Sequence, residues 1–571
     1  MANKRIRDLD KTTTVSDDAF FALDAVGLTA AQAITTAGLN DAVSLTLIPR
    51  LAVGDSAAAA ANTAAIDAAL LAYAQSGNKK GTLKLPRGNV WVNRAVFIGS
   101  EHSGLTIDGD GCALINAQGG PPPDNQLLVV GYGLGADPIG YHVPVSYPPE
   151  GTSLTFPNGS GNPFGYQKGD ALLLFSADQN TTERQIKQQT VIITNWNPNS
   201  PGTMTVDTPL DSGLKEAKYL YNGRKVSGGV EVGATTLTIA GDVTGLFRKD
   251  TWAYITDGVG TFEAYGEYVR IVGITPPGGP NTVLTLESGV RNAYVSGRTA
   301  IVPGRKTNVT NKRGWVEDLT IRGLTLGGVA PVQHLSQLSA KYCVNLQLEQ
   351  VHSSLGDSIA TNIQNNGSAI TTSGHIAVSD SSFAEEAGLE LNTCRDVLIE
   401  RTRVQGRSEE FCSDITYRDC DIVVAYVHSG GAMRIDADGC RFWNCEIGTG
   451  TAAGDLGFYN CDVFWAVGTA PTVAAMRFQT DRCTVRGLRT HGAPLHIIAE
   501  SGTGHIVGEL HGDLQPDPAV PGLVLQLDPG TSGTIVGPIV GQVQALANNY
   551  LPSEWVRMTT AQVGRILHPG D

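Results

Sequence analysis

Three glutamates whose spacing could support acid–base chemistry lie between residues 386 and 410. Alternate residues of a strand face opposite sides, and the repeat described below aligns Glu390 and Glu410 on one outward face, one coil apart. A coil step of ~4.8 Å and two residues of ~6.6 Å separate their backbones by roughly 8 Å. In the ~6.5–9.5 Å range, an acid and a base can act on a glycosidic bond with a water between them. We therefore predict Glu390 and Glu410 as a catalytic pair, with Glu386 in reserve.

The repeat also places Arg434 and Arg477, in later coils, on this outward face, and both are predicted to bind substrate. A nearby cation would keep one carboxylate ionised while a less solvated partner keeps its proton. The alternative is that all of these groups are solvated charges of a groove. Stacked Asn and Asp side chains that hydrogen-bond along turns are a structural device of parallel coils. A second ladder is therefore interpreted as structural: Asn362, Asn392, Asp414, Asp436 and Gln479.

The element that must position these residues is a phrase repeated between about residues 335 and 512. An apolar-x-apolar triplet, a polar turn residue and a second apolar run begin at Leu338, Ile359, Leu389, Phe411, Met433, about Leu456, Met476 and Leu495. A strand-like period of two, recurring at this spacing, is typical of stacked parallel coils that bury their apolar faces only by stacking. The leucine-rich repeat signature and its helical return are missing. We predict an all-β fold, a right-handed parallel β-helix.

Composition restricts the partners. The formal net charge is -14, with 41% hydrophobic and 17% charged residues, which argues against nucleic acid and favours a neutral or weakly charged ligand. No stretch approaches a membrane span in our reading, and no apolar signal core follows the basic start, so synthesis in the cytoplasm and no membrane insertion are expected. The nine cysteines lack metal-ligand spacing. Buried thiols, no metal and no cofactor are predicted.

The N-terminal part of the solenoid is predicted at residues 51–120. A helix over 55–77, capped by Asp55 or Ser56, precedes strands at 82–85, 90–92 and 105–107, separated by Pro86-Arg87-Gly88. This order, with Asn62-Thr63 inside the helix, resembles the entry coil of the pectate-lyase-like superfamily. The resemblance implies a helix that plugs the open end of the solenoid. That fold hosts lyases, hydrolases, epimerases and binding proteins, so it does not decide the chemistry.

Residues 121–310 carry a separate repeat with a period of 80, in which Asp170 matches Asp250 and Glu183 matches Glu263. The copies, about 151–221 and 231–301, are predicted to be inserted antiparallel β modules, and the two glutamates are interpreted as structural. The coils of the β-helix follow at 311–512. Residues 513–571 are predicted to be a cap or trimerisation segment, with short strands and a helix around 552–566.

Residues 1–50 differ in character from the rest of the chain. The patterns Arg5-Ile6-Arg7-Asp8-Leu9 and Val15-Ser16-Asp17-Asp18, followed by a short β run, resemble the attachment segment of bacteriophage tail fibres and tailspikes. The resemblance implies a homotrimer in the virion tail that acts at the host cell surface. It also implies contacts with tail or baseplate proteins through residues 1–50, and with host surface polysaccharide through the β-helix.

The function predicted from these features is a tailspike that binds and cleaves surface polysaccharide as a glycosidase-type depolymerase. One alternative is a receptor-binding tail fibre without catalysis, which would bind glycan and form no product. A second alternative is a secreted bacterial polysaccharide lyase or hydrolase, which would be found free in a secretome. Neither the sugar nor the bond follows from the sequence.

Overall fold

The computed structural model shows a solenoid built almost entirely of strands. It describes residues 20–25, 43–76, 80–117, 127–131, 150–156, 168–176, 187–197, 202–210, 217–257, 266–275, 279–295, 297–303, 315–328, 338–341, 343–354, 368–371, 373–383, 389–392, 394–405, 407–410, 412–423, 433–443, 447–448, 454–464, 474–478, 481–491, 495–512, 523–527, 530–540 and 555–558. Strands of successive coils pair in parallel, so the predicted parallel β-helix is confirmed.

One 22-stranded sheet forms the long wall of the solenoid. Its first stack contains Val43–Ile48, Gly81–Lys84, Leu105–Asn116, Val316–Gly328, Cys343–Ser354, Gly374–Ser379, Arg395–Glu400, Ser413–Arg418, Met433–Asp438, Gly454–Tyr459, Thr484–Arg486, His505–His511, Gly533–Val540 and Trp555–Met558. The second stack continues some of these strands and adds Gly88–Val92, Ser382–Phe383, Arg403–Gln405, Asp421–Val423, Arg441–Trp443, Asp462–Phe464 and Arg489–His491. Strand Phe20–Ala25 pairs antiparallel with Val43–Ile48 at the N-terminal edge.

Two smaller parallel sheets complete the coils. A six-stranded sheet contains Val96–Ile98, Leu128–Val130, Leu338–Lys341, Ser368–Thr371, Leu389–Asn392 and Arg407–Glu410. A four-stranded sheet contains Ile447–Gly448, Ala474–Phe478, Leu495–Ala499 and Leu523–Leu527. Buried side chains of all three sheets form one hydrophobic core that runs from Leu45 to Ile535. This continuity is what stacked coils require, because no coil can bury its apolar face alone.

Left-handed residues turn the chain at two corners in successive coils. The first corner column, which opens the first stack, comprises Asp318, Asn345, His375, Asp396, Asp414, Arg434, Asp455 and Arg482. The second corner column, between the two stacks, includes Gln350, Asp380, Arg401, Asp419, Asn460 and Glu509. Asp and Asn tolerate this conformation best, since their short side chains bond locally. Arginine at such a corner is unusual and points to a compensating interaction.

Thiols line the inside of the second corner. Cys420, Cys440 and Cys461 are buried, and each donates to backbone carbonyl oxygens of its own and the preceding coil. Eight described cysteines are buried and unoxidised, as predicted for thiols used as small core residues. The own-coil carbonyls of Arg418, Asp438 and Tyr459 also accept a backbone N–H group of the preceding coil, so each thiol adds a second hydrogen bond at the corner.

The helix predicted over 55–77 is present as a 3₁₀ turn, Ser56–Ala58, followed by the α-helix Ala59–Ser76, and Asp55 Oδ1 accepts from Ala57 N at 2.9 Å. The buried Asn62 side chain bonds Ala52 N (2.8 Å), Ala52 O (3.0 Å) and Trp91 O (3.0 Å). These bonds fix the helix to the entry coil. By length and composition this 21-residue segment could also cross a membrane, which the sequence analysis overlooked.

The insert is a single ten-stranded antiparallel sheet. One half contains Ser153–Phe156, Ala171–Ser176, Lys187–Asn197, Gly202–Val206 and Ala217–Lys225. The other half contains Thr236–Ala240, Thr251–Thr256, Gly266–Thr275, Asn281–Leu286 and Ala300–Pro303, arranged in the same order outward from the central pair. Each half has its own apolar core, and the halves join where Arg224 and Lys225 pair with Ile301 and Ala300.

Parts of the predicted register are wrong. Met433 lies in the long sheet and pairs with Gly454, whereas Met476 lies in the four-stranded sheet and pairs with Ile447 and Ile497. Cys412 is the middle residue of the apolar-x-apolar triplet that begins at Phe411, a position predicted to face outward, and it is fully buried. At the C-terminus, Trp555–Met558 is a strand and not part of a helix.

Candidate functional site

A groove of about 740 Å³ runs over the outer face of the first stack, along the first corner column. We call it the main groove. Its lining includes four carboxylates and three guanidiniums: Asp396, Asp414, Asp436, Asp455, Arg291, Arg434 and Arg482. Leu398, Thr416, Tyr459 and Thr484 contribute further lining. The groove therefore combines polar and apolar contacts, and its lining has one more carboxyl group than guanidinium group.

Each guanidinium in the main groove is bonded to a carboxylate. Arg434 binds Asp414 of the preceding coil through two parallel bonds, Nε to Oδ1 at 2.6 Å and Nη2 to Oδ2 at 2.8 Å. Arg482 binds Asp455 in the same manner. These charge-assisted bonds compensate for the left-handed backbone of the two arginines and hold the groove wall in one geometry.

Asp436 differs from the other three carboxylates of the main groove, which are each paired with an arginine. Of the described residues, none forms an ion pair with it, and its side chain lies on the strand face between the two bidentate pairs. Burial raises the pKa of Asp436, and the neighbouring charges of Asp414, Asp455 and Asp438 raise it further. A carboxyl group in these surroundings holds its proton to higher pH than an ordinary aspartate.

Asp414 has the opposite electrostatics. Burial acts to raise the pKa of this carboxyl group, but hydrogen bonds and charge from Arg434 outweigh burial, so the pKa lies below its ordinary value. Asp414 lies one coil below Asp436 and two residues earlier in register, a backbone separation of roughly 8 Å by strand geometry. Glycosidases use two carboxyl groups of this kind: the protonated one acts as the acid, and the ionised one acts as the base or the nucleophile.

Gly457 makes room for the Asp436 carboxyl group. It is the register partner of Asp436 in the next coil, and a Cβ atom there would collide with Asp436 Oδ1 and with the ring of Tyr459. Burial raises the pKa of the half-buried Tyr459, and the charge of Asp436 raises it further. Asp436 and Tyr459 therefore share the space that the missing side chain leaves open.

The insert forms one end of the main groove. Glu267, 7% exposed, accepts the backbone N–H groups of Arg291 (2.9 Å) and Asn292 (3.2 Å) and the hydroxyl of Tyr294 (2.8 Å). This clamp fixes the loop from which the Arg291 side chain reaches Asp396 of the solenoid. The groove is therefore bounded at the Asp396 coil by a charged residue of the insert.

The insert is attached to the solenoid along the first corner column. Trp252 Nε1 donates to Asp318 at 3.2 Å, and the Trp252 ring lies 4.5 Å from the ring of His375. His375 Nε2 lies 3.1 Å from the carbonyl oxygen of Tyr268, and Tyr268 packs edge-on against Trp315. These contacts cover the corner in the coils that precede the main groove.

No protein-family profile and no curated protein sequence matches this chain. Among solved structures, the Gp54 tailspike of Acinetobacter baumannii bacteriophage AP22, in complex with A. baumannii capsular saccharide, is similar at 10% identity and a TM-score of 0.37, covering 86% of this chain and 69% of that one. The tailspike gp49 of Pseudomonas phage LKA1 is 13% identical, with coverages of 84% and 76% and a TM-score of 0.35. PfbA, a surface adhesin of Streptococcus pneumoniae, is 9% identical, with coverages of 86% and 93% and a TM-score of 0.34.

The residues predicted from the sequence lie in three different sheets. Glu390 and Glu410 occupy paired strands of the six-stranded sheet, where Glu390 is opposite Ser408 and Glu410 is opposite Asn392. The two glutamates remain on a diagonal of one coil and two residues, in the direction opposite to the predicted one. Glu386 lies outside the described residues. Their catalytic roles remain predictions.

The predicted binding arginines are separated from that glutamate pair. Arg434 lies in the long sheet and lines the main groove, whereas Arg477 lies in the four-stranded sheet opposite Gly448 and Ile498. Asp414 and Asp436, interpreted from the sequence as structural turn residues, both line the main groove. The signal that could have found them is the phrase Asp/Arg-apolar-x-apolar, which starts each first-stack strand at Asp396, Asp414, Arg434 and Asp455.

Proposed function

We propose that this chain is a tailspike-type protein that binds bacterial surface polysaccharide in the main groove and hydrolyses a glycosidic bond there. The observation that carries the proposal is Asp436, a carboxyl group without an ion pair among the described residues and with a raised pKa, beside Asp414 with a lowered one. In this proposal Asp436 donates a proton to the leaving oxygen. The ionised Asp414 accepts a proton from the water that attacks the anomeric carbon, and the bond to the leaving oxygen breaks as the bond to water forms.

The charge of the groove favours a neutral glycan and hydrolysis over lyase chemistry. Its lining carboxylates outnumber its guanidiniums, and each guanidinium is already bonded to a carboxylate. With Asp436 protonated, the remaining three carboxylates and the three guanidiniums balance, and no described cation of the lining is free to neutralise the carboxylate of an acidic sugar. A lyase that removes a proton next to a sugar carboxylate needs such neutralisation.

Location and assembly belong to the same proposal. Residues 1–50 would attach the chain to tail or baseplate proteins, and three chains would form a homotrimer at the virion tail that acts on the host cell surface. The support for these parts is the N-terminal sequence pattern. The secreted-enzyme alternative predicts the same groove chemistry without tail attachment.

The test uses the full chain with purified capsular polysaccharide and lipopolysaccharide from a panel of bacterial strains, and measures new reducing ends. Asp436→Asn and Asp414→Asn should each lower turnover by ~10²–10⁴-fold while glycan binding persists. The matched control is Asp421→Asn, which removes a carboxylate bonded to Arg441 outside the groove. Asp421→Asn should leave turnover unchanged.

The same assay includes Glu390→Gln and Glu410→Gln. Loss of turnover in these two variants, with Asp436→Asn fully active, would move the chemistry to the six-stranded sheet. Binding without new reducing ends in the wild type would instead show a receptor-binding fibre without catalysis. Absence of any binding across the panel would contradict the proposed function as a whole.

A further inference from the structure

A second polar groove, of about 710 Å³, lies on the outer face of the N-terminal coils. Its lining includes Arg87, Asp108, Asp110, Arg322, Glu349 and Asp380. The insert makes its described contacts with the solenoid at the first corner column and just before it, at Trp315, Asp318, Gly374, His375, Arg395 and Asp396. The second groove lies toward the other corner. The insert therefore separates the main groove from the rest of the first corner column but leaves the second groove open.

Internal ion pairs do not account for all charges of the second groove. Arg322 binds Asp108 at 2.9 Å, and Asp380 is bonded to Arg401. Glu349 forms no ion pair with any described residue. Arg87 and Asp110 stand 3.7 Å apart with side chains that are both 79% exposed, a contact of little energetic value. These hydrogen-bonding groups are thus available to a ligand.

One column of outward-facing residues connects the two grooves. Ser379 lines the second groove and Tyr459 lines the main groove, and register pairs them through Glu400, Arg418 and Asp438. Four coil steps of ~4.8 Å separate Ser379 from Tyr459 by roughly 19 Å. Arg418 is 52% exposed, and Asp438 is exposed as well. The connecting surface is therefore polar and open to solvent.

We propose that the second groove is a remote binding site for the same polysaccharide, which lies across at least five coils with one segment in each groove. This inference rests on the proposed function. It assigns the ligand to a class, an extended neutral polymer cleaved within the chain and not at its end. The loop that holds Arg291 closes the main groove along the first corner column, so an extended chain must leave across the strand face toward Ser379 and the second groove.

The experiment measures binding by isothermal titration with fragments of increasing length, prepared by partial acid hydrolysis of the polysaccharide that the wild type binds. Affinity should rise steeply once a fragment can span roughly 19 Å. The double variant Arg87→Ala/Glu349→Gln should weaken binding of long fragments about tenfold, since it removes the guanidinium donor of Arg87 and replaces the charged acceptor of Glu349 with a weaker neutral one. Short fragments should bind and turn over as in the wild type.

The matched control is Arg489→Ala/Glu150→Gln, two exposed residues that line neither groove. It should bind long fragments normally. The proposed second site is wrong if the wild type and Arg87→Ala/Glu349→Gln bind long fragments equally well, or if affinity does not depend on fragment length. Either result can occur while the wild type still cleaves polysaccharide, so it would not contradict the proposed function. Arg87→Ala alone should also weaken binding of long fragments, and because this side chain is 79% exposed its loss should not impair folding. If the wild type binds no polysaccharide at all, both proposals fail together.

Discussion

At the scale of single residues, Asp436 is the group whose charge state matters most. A proton donor works only while it is protonated, and its burial and the surrounding carboxylates raise its pKa. Raising the pKa extends the protonated fraction to higher pH, so the high-pH limb of the turnover profile reports on this group. Carboxylates next to Asp436 therefore determine the pH range of activity.

Replacing Asp455 tests this electrostatic argument. Asp455→Asn removes one charge that raises the pKa of Asp436 and leaves the guanidinium of Arg482 without its carboxylate nearby. Both changes lower the pKa of Asp436, so the high-pH limb of the kcat profile should move toward lower pH. The measurement is kcat against pH for the wild type, Asp455→Asn and the control Asp462→Asn, which removes a carboxylate bonded to His491. An unmoved limb in Asp455→Asn would show that Asp436 does not govern it.

The sequence pointed to carboxylates as the chemistry-bearing residues, but it favoured Glu390 and Glu410, whose roles remain predictions, over Asp414 and Asp436, which line the main groove. Asp436 resembles a turn residue in a repeat because polar residues also stabilise corners. Asp436 differs from its neighbours because it forms no ion pair with any described residue, whereas Asp414 is paired with Arg434 and Asp455 with Arg482. That difference depends on which coils are neighbours. A single sequence gives the residue types but not the register that pairs them.

At the scale of elements, the N-terminal helix shows how much a local pattern can predict. Asp55 caps the helical segment, as predicted, and Ile66, Leu70 and Tyr73 on its apolar face are buried. The coil register was harder because the same phrase occurs in different sheets. Met433 and Met476 each precede Arg-apolar and a cysteine seven residues on, yet Cys440 contacts the second corner and Cys483 the first. Short strands with similar composition leave such alignments ambiguous.

Asn62→Ala should loosen the helix from the entry coil. The substitution leaves the amide and carbonyl of Ala52 and the carbonyl of Trp91 without their side-chain partner. Unpaired groups of this kind cost about 1–3 kcal/mol each when buried. Hydrogen exchange over residues 59–76 should accelerate, while Gln75→Ala, on the exposed side of the helix, should leave exchange unchanged. Slow exchange in Asn62→Ala would show that apolar packing alone holds the helix.

At the scale of the whole molecule, the insert and the coils have different symmetries. The insert is a duplicated sheet with two cores, and the coils are a linear stack with one core. The sequence revealed both repeats through their periods. Their placement, with Arg291 of the insert at Asp396 of the solenoid, links residues 105 positions apart. The period of a sequence repeat does not show which residues of the insert contact the solenoid.

The homotrimer proposed above is tested by light scattering on the full chain. The expected mass is about three times the 60.1 kDa of one chain. Removing residues 1–42, which keeps the solenoid strand Val43–Ile48, should not change this assembly if the solenoid or its C-terminal part joins the chains. A mass of one chain for the full-length protein would contradict the trimer and leave the groove chemistry untouched.

The first corner column has an evolutionary consequence. Its left-handed backbone persists while the residue there is Asp, Asn, His or Arg, and the core beneath it stays apolar. Substitutions at one corner can therefore change the side chains that contact a ligand without changing the fold of the coils. Under the proposed function, hosts that alter their surface polysaccharide would select for such exchanges. In each coil, the buried residues therefore determine the fold, and the corner residues determine which ligand is bound.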